Sequence, residues 1–117
     1  MKRKNIFKLA LSPNQRLALW VSLDLLHWVS GSNRPKFSDE TIDHISDTFD
    51  SLDGDVKTYE FNFTATHHRA CSFALKYARL YLNGDFRHFD LPIPENIDSE
   101  LKELAPVILA LSEHFSG

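Results

Sequence analysis

Between Pro13 and Ser30 the sequence carries a helix pattern that is apolar on nearly every side. Ser12 can accept a hydrogen bond from the amide of Gln15, whose side chain can reach back, and proline fits the first helical position. Leucine, valine and tryptophan then cover most of the helix surface at about 100° per residue. Such a helix belongs in the interior of a domain or against a second subunit. Gly31 is its predicted end, because glycine favours the turn that closes a helix.

Three further helices are predicted from apolar residues spaced three and four apart. The second is capped by Ser38, runs to about Leu52 and ends at Asp53-Gly54. It has a thin apolar face and an acidic outer face. The third covers 66–82 and ends at Asn83-Gly84. Phe73 belongs to its predicted apolar face, and three alanines allow another helix to approach closely. The last runs to Phe115 and keeps its apolar spacing across Pro106, which favours one kinked helix over two independent ones.

Two short segments alternate apolar and polar residues, which is typical of half-buried strands. These are residues 5–11 and 56–64. Because an isolated strand leaves its backbone groups unpaired, the two segments are predicted to pair with each other. The predicted fold class is therefore mainly α, bordering on α+β. About four helices pack around helix 13–30, and a two-stranded element forms from the two segments.

The length and composition predict one domain over 1–117 with a basic N-terminal arm, 1–4. A chain of 117 residues, 43% hydrophobic and 25% charged, has the size and usage of a single folded domain. The most apolar stretch, 17–29, is shorter than the roughly 20 residues of a membrane span. Residues 1–12 lack the apolar run of a signal peptide. With Cys71 as the only cysteine, a disulfide within the chain is excluded, and a cytoplasmic location is predicted.

Charge is distributed along the chain in blocks of alternating sign. Residues 1–35 hold six basic and one acidic side chain, and residues 36–60 hold eight acidic and two basic ones. Residues 61–90 are again net basic and residues 91–117 net acidic. This alternation favours pairing between blocks, or head-to-tail contacts between copies, over one uniform surface for a polyanion.

One polar stripe on the first helix is a candidate for acid–base chemistry. It contains Arg16, Trp20, Asp24 and His27, and a carboxylate one turn from an imidazole can orient it for proton transfer. No nucleophile accompanies the pair. The alternative is that the N-terminal arm or a partner satisfies these polar groups of a buried helix. We therefore predict no catalytic residue.

Metal and thiol chemistry have weaker patterns. His67 and Cys71, four residues apart on the third helix, could supply two zinc ligands, with His68 or His88 as a third. The cysteine shares an angle with apolar residues, which favours a small core residue with little reactivity. Residues 49–60 fit a calcium loop poorly because its first position is a phenylalanine. No metal site and no cofactor are predicted.

The third helix also carries a basic face. Arg69, Lys76 and Arg79 lie with His68 and Ser72 within about 100° of arc. Together with the basic N-terminal arm they could contact phosphates. The negative overall charge, and the prediction that no stacking aromatic residue lies on this face, favour a solvated or internally paired face instead.

Residues 5–52 have the order strand, helix, turn, helix, which resembles that of ribbon-helix-helix DNA-binding dimers. The resemblance implies that residues 5–11 of two chains pair and enter the major groove. It covers less than half of the chain. The chain departs from the family in helix length, in its acidic second helix and in the apolar Phe7, Leu9 and Leu11 of the strand.

The predicted function is a non-enzymatic protein–protein interaction or assembly module. Helix 13–30 and the last helix carry apolar surface that four elements of one chain are not expected to cover. This favours a partner, either a second copy in a homodimer or another protein. No membrane partner is predicted. The alternative function is a nucleic-acid-binding regulator, and the second alternative is a small metal-dependent or hydrolytic enzyme. The predicted interaction surface consists of Arg16, Trp20, Asp24, His27, Arg69, Lys76 and Arg79.

Overall fold

Five α-helices and a two-stranded sheet make up the part of the chain that the structure describes. The structure is a computed structural model and describes residues 6–29, 39–48, 57–62 and 66–115. Its elements are β1 (Ile6–Leu11), α1 (Pro13–Leu25), a 3-10 turn (Leu26–Trp28), α2 (Asp39–Thr48), β2 (Lys57–Asn62), α3 (Thr66–Leu82), α4 (Glu95–Glu103) and α5 (Ala105–Phe115). The predicted mainly helical fold with one small sheet is confirmed.

The start of α1 is the predicted reciprocal cap. The Ser12 amide donates to Gln15 Oε1 at 2.8 Å, and the Gln15 amide donates to Ser12 Oγ at 3.3 Å. Pro13 occupies the first helical position, where its missing amide hydrogen leaves no intrahelical bond unmade. Because these bonds join residues three apart, the sequence alone is enough to predict them.

The end of α1 differs from the prediction of a helix over 13–30. The α-helix stops at Leu25, one turn of 3-10 helix follows, and Val29 is extended with φ −73° and ψ 127°. Val29 forms an antiparallel bridge with Phe89, and the Asp90 amide donates to the Trp28 carbonyl oxygen at 2.7 Å. Pairing with a distant segment thus ends the helix, and helical periodicity carries no signal for such a contact.

α1 is the central helix, as predicted. It packs against each of the other four helices, and its residues Leu19, Val21, Leu23 and Leu25 are fully buried. The apolar surface of α1 is therefore covered by elements of the same chain. One reason for predicting a second subunit was the expectation that four elements would leave this helix exposed. That reason no longer holds.

β1 and β2 pair with each other, as predicted. The structure shows that the pairing is antiparallel, from Ile6 opposite Asn62 to Leu11 opposite Lys57. Leu9 and Leu11 are buried, whereas Lys8 and Ala10, which alternate with them, are exposed. On the exposed side Lys8 Nζ lies 3.3 Å from Glu60 Oε1. Because β1 takes its partner from the same chain, the arrangement differs from the intermolecular ribbon that the ribbon-helix-helix resemblance implies.

α3 ends at the predicted glycine. Gly84 has φ +83°, a left-handed conformation that glycine adopts without a steric penalty. Its amide donates to the Tyr81 carbonyl oxygen at 3.0 Å, and the Asp85 amide donates to that of Leu80 at 2.9 Å. These two bonds form a Schellman motif, which satisfies carbonyl groups that the helix end leaves without an intrahelical donor.

The last helix is divided, which corrects the prediction of one kinked helix. Leu104, with φ −94° and ψ 8°, separates α4 from α5. Pro106 has no amide hydrogen to donate to the carbonyl of Lys102, and its ring clashes with that carbonyl. The predicted apolar seam nevertheless stays on one side across the break. All its members are buried: Ile97, Leu101, Leu104, Ile108, Leu111 and Phe115.

Some predicted features lie outside the described residues. They include the basic arm 1–4, the cap at Ser38, the turn at Asp53-Gly54 and most of the calcium-loop pattern. Within the described ranges, no helix has both the length and the apolar character needed to cross a membrane.

Candidate interaction surface on the third and fifth helices

The seven residues of the predicted interaction surface lie in two separate places. Arg16 on α1 is fully buried, which differs from the surface position predicted for it. Trp20, Asp24 and His27 are half-buried. The polar stripe of α1 is thus mainly an internal feature, because the helix is surrounded by other elements and has no side that is fully open to solvent.

The predicted Asp24–His27 pair is joined by a second carboxylate, which the sequence pattern did not reveal. His27 Nε2 lies 3.1 Å from Asp43 Oδ1 on α2 and 4.0 Å from Asp24 Oδ1. Burial raises the pKa of Asp24; His27 acts to lower it, and Asp43 acts to raise it. The cluster links the end of α1 to α2, so the imidazole has a structural role between two helices.

Arg69, Lys76 and Arg79 are all exposed along one side of α3. No acidic side chain of the described ranges lies within ion-pair distance of these three cations. Phe73 lies among them and is 37% exposed. This corrects two predictions, since Phe73 was assigned to the apolar face of α3 and no aromatic residue was expected on the basic face.

α5 covers the two uncharged members of the predicted basic face. The rings of His68 and Phe115 lie 5.3 Å apart, and Ser72 Oγ donates to the Phe115 carbonyl oxygen at 3.3 Å. His68 is therefore buried rather than exposed. Burial lowers the pKa of His68, which favours a neutral imidazole at this position.

A groove of about 290 Å³ follows the line where α3 and α5 meet. Two cations and two hydroxyl groups line it, and we call it the basic groove. Its lining residues are Ser72, Leu75, Lys76, Arg79, Ser112 and Phe115. Ser112 Oγ donates to the Leu109 carbonyl oxygen at 2.8 Å, which leaves the ammonium and guanidinium groups as the strongest donors at the groove.

The exposed side of α5 carries apolar side chains around Glu113. Leu109 is 47% exposed, and Pro106 and Ala110 on the same side are also exposed. Leu109 lies one turn before Ser112, next to the basic groove on the helix surface. The sequence pattern correctly predicted which apolar residues of this helix form the buried seam. Leu109 is an apolar residue outside that seam.

Cys71 is a core residue, as the pattern favoured. Its side chain is fully buried, and burial raises the pKa of its thiol well above the usual range, which disfavours the thiolate form. His67, its predicted partner for zinc, instead lies 6.2 Å, ring to ring, from His44 of α2. Among the described residues, no group of three His, Cys, Asp or Glu side chains is arranged to hold a metal ion.

Comparisons with protein-family models, curated proteins and solved structures find no match to this chain. The basic groove and the exposed side chains beside it are therefore interpreted from their own geometry and charge.

Proposed function

We propose that the chain is a non-enzymatic protein–protein interaction or assembly module that acts in the cytoplasm and binds a second copy of itself or another protein. The observation that carries the proposal is the surface of α3 and α5, two helices that meet along the basic groove. α3 exposes three cations and Phe73 there, and α5 exposes Leu109.

The composition of this surface fits a protein partner. Protein interfaces are enriched in arginine and aromatic side chains and combine apolar contacts with a polar rim. Phe73 and Leu109 supply apolar area on different helices, and burying such area stabilises a complex by about 25 cal/mol per Å². Lys76 and Arg79 supply positive charge. Charge at an interface determines which partner binds more than how tightly it binds.

Photo-crosslinking in the native cell tests this proposal. Phe73 is replaced by benzoyl-phenylalanine, and Phe86 is replaced in the same way as a matched control, because it is an exposed phenylalanine (44%) on the connector between α3 and α4. We expect a protein adduct from position 73 that is absent from position 86, since only position 73 lies among the exposed cations of α3.

Two results would count against the proposal. Adducts from position 86 alone would place the interface on the connector, away from α3 and α5. Adducts from position 73 that disappear on nuclease treatment would identify a nucleic acid as the partner and support the second candidate function.

Nucleic-acid binding is the second candidate, and one observation favours it. Arg69, Lys76 and Arg79 extend over about 15 Å of α3, at 1.5 Å per residue. Phe73 among them offers an exposed ring. A line of cations with an interspersed aromatic residue is the arrangement that binds single strands through phosphate contacts and base stacking.

For this candidate we expect the double variant Arg69→Ala and Arg79→Ala to elute from a DNA column at lower salt than the wild type. Each lost phosphate contact should reduce the salt slope of binding by about one. Arg87→Ala is the control, because Arg87 is exposed on the connector and already paired with Asp85 at 2.9 Å. Unchanged elution of the double variant would exclude α3 as a nucleic-acid surface.

A further inference from the structure

We infer that the partner of the basic surface is the acidic outer face of α2 in a second copy of this chain. The inference rests on the proposed interaction function and specifies its partner. The basic surface is formed by Arg69, Lys76 and Arg79 with the basic groove beside them. The acidic face is formed by Glu40, Asp43 and Asp47, all of which are exposed.

The acidic face of α2 has the charge and the openness that such a contact needs. Its three carboxylates are spaced three and four residues apart, which places them on one side of the helix. Asp43 is bound to His27, whereas no cation of the described ranges forms an ion pair with Glu40 or Asp47. Two of the three carboxylates are thus available for a basic partner.

The spacing of the charges matches between the two faces. Glu40 and Asp47 are seven residues apart on α2, and Arg69 and Lys76 are seven residues apart on α3. Seven residues of α-helix span about 10.5 Å, close to two full turns, so each pair lies on one side of its helix. Two helices packed side by side can therefore bring both oppositely charged pairs together at once.

These two faces do not neutralise each other within one chain. α2 contacts α3 at its first turn, where the rings of His44 and His67 lie 6.2 Å apart. At 100° per residue, His67 lies about 160° around α3 from Arg69, so α2 of the same chain packs away from the basic side. Both charged faces are left for a second copy.

A head-to-tail contact joins the two faces of different copies. Because the acidic face and the basic surface lie on different sides of one chain, the acidic face of one copy binds the basic surface of the next, which is a heterologous interface. Leu109 and Phe73, each one helical turn from a residue that lines the basic groove, would lose exposure in the same contact.

Charge reversal followed by mixing tests the inference. The first variant carries Arg69→Glu and Lys76→Glu, and the second carries Glu40→Lys and Asp47→Lys. At about 50 mM salt, where charge contacts are weakly screened, we expect the wild type to sediment with at least twice the chain mass of 13.5 kDa. Each variant alone should associate at least about 100-fold more weakly, because like charges then face each other in the contact.

An equimolar mixture of the two variants should recover the association, since every contact between unlike variants again joins opposite charges. This recovery also shows that both variants are folded. Glu103→Lys, at an exposed position of α4 outside both faces, serves as the control and should associate like the wild type.

A monomeric wild type, variants that still associate, or a mixture that stays monomeric would each overturn the inference. The proposed interaction function has a separate readout. If the purified chain is monomeric while position 73 still gives a protein adduct in cells, self-pairing is wrong and the interaction function stands. If the purified chain is monomeric and position 73 gives no protein adduct, both the self-pairing and the interaction function are wrong.

Discussion

Leu111→Ala should lower the free energy of unfolding by about 2–5 kcal/mol, the range for truncating a fully buried leucine. Leu111 is inaccessible to solvent in α5, where it belongs to the central core. Its truncation removes apolar contacts and leaves a cavity that the neighbouring helices fill only in part. Urea unfolding followed by circular dichroism at 222 nm measures the change.

Leu109→Ala is the matched control for this prediction. It makes the same chemical change two residues earlier in the same helix, so any change in helix propensity is shared, but Leu109 is 47% exposed. We expect its effect to stay within about 0.5 kcal/mol. Equal losses from the two variants would contradict the orientation of α5, and with it the basic groove that Ser112 and Phe115 line.

Tyr81→Phe should lower the free energy of unfolding by about 1.5 kcal/mol, the lower part of the range for a hydrogen bond to a charged group. The Tyr81 hydroxyl donates to Asp98 Oδ1 at 2.5 Å and joins α3 to α4. The variant keeps the ring that contacts Phe86 and Phe89. Lys102→Ala, which removes the exposed ion pair to Asp98 at 3.1 Å, should change stability by less than about 0.5 kcal/mol.

The same hydrogen bond makes stability depend on alkaline pH. Burial, together with the bond to Asp98, raises the pKa of Tyr81 to about 12, from an ordinary value of about 10. Because the folded state holds this proton more tightly, the contribution is complete below pH 10 and is lost as pH rises from 10 to 12. Urea titrations of both proteins between pH 8 and 11 should show a steeper decline for the wild type. Parallel declines would contradict the assignment.

The carboxyl group of Asp98 makes stability depend on acidic pH, in the opposite direction to Tyr81. Hydrogen bonds from Tyr81 and Lys102 lower the pKa of its carboxyl group below the ordinary value of about 3.9. The folded state therefore favours the ionised form. Its contribution to stability is present above that ordinary value and is lost as pH falls through the lowered pKa.

Features encoded by residues close together in the chain were predicted correctly. The cap at Ser12 and Gln15 and the glycine that ends α3 are examples, since each depends on hydrogen bonds spanning three to five residues. The pairing of β1 with β2 was also predicted, because the chain offers each strand few alternative partners. So was the central place of α1, because a helix that is apolar all round is stable only when it is covered.

Features that depend on distant segments could not be predicted in the same way. α1 ends early because Val29 pairs with Phe89, sixty residues further along the chain. Arg16 is buried because other helices surround it, although its position in the helical pattern is polar. A helical pattern indicates which residues share a side, but which side is covered depends on elements that the pattern does not contain.

Only part of the candidate interaction surface could be predicted from the sequence. Its cations, Arg69, Lys76 and Arg79, were predicted from their shared side of one helix. The basic groove was not, because it exists only where Ser112 and Phe115 of α5 lie against α3. The sequence by itself therefore determined which segments are helical, the strand pairing, the central place of α1 and the charge of each surface. Only the tertiary structure decided which charged and apolar side chains stay exposed, because exposure depends on contacts between residues far apart in the chain.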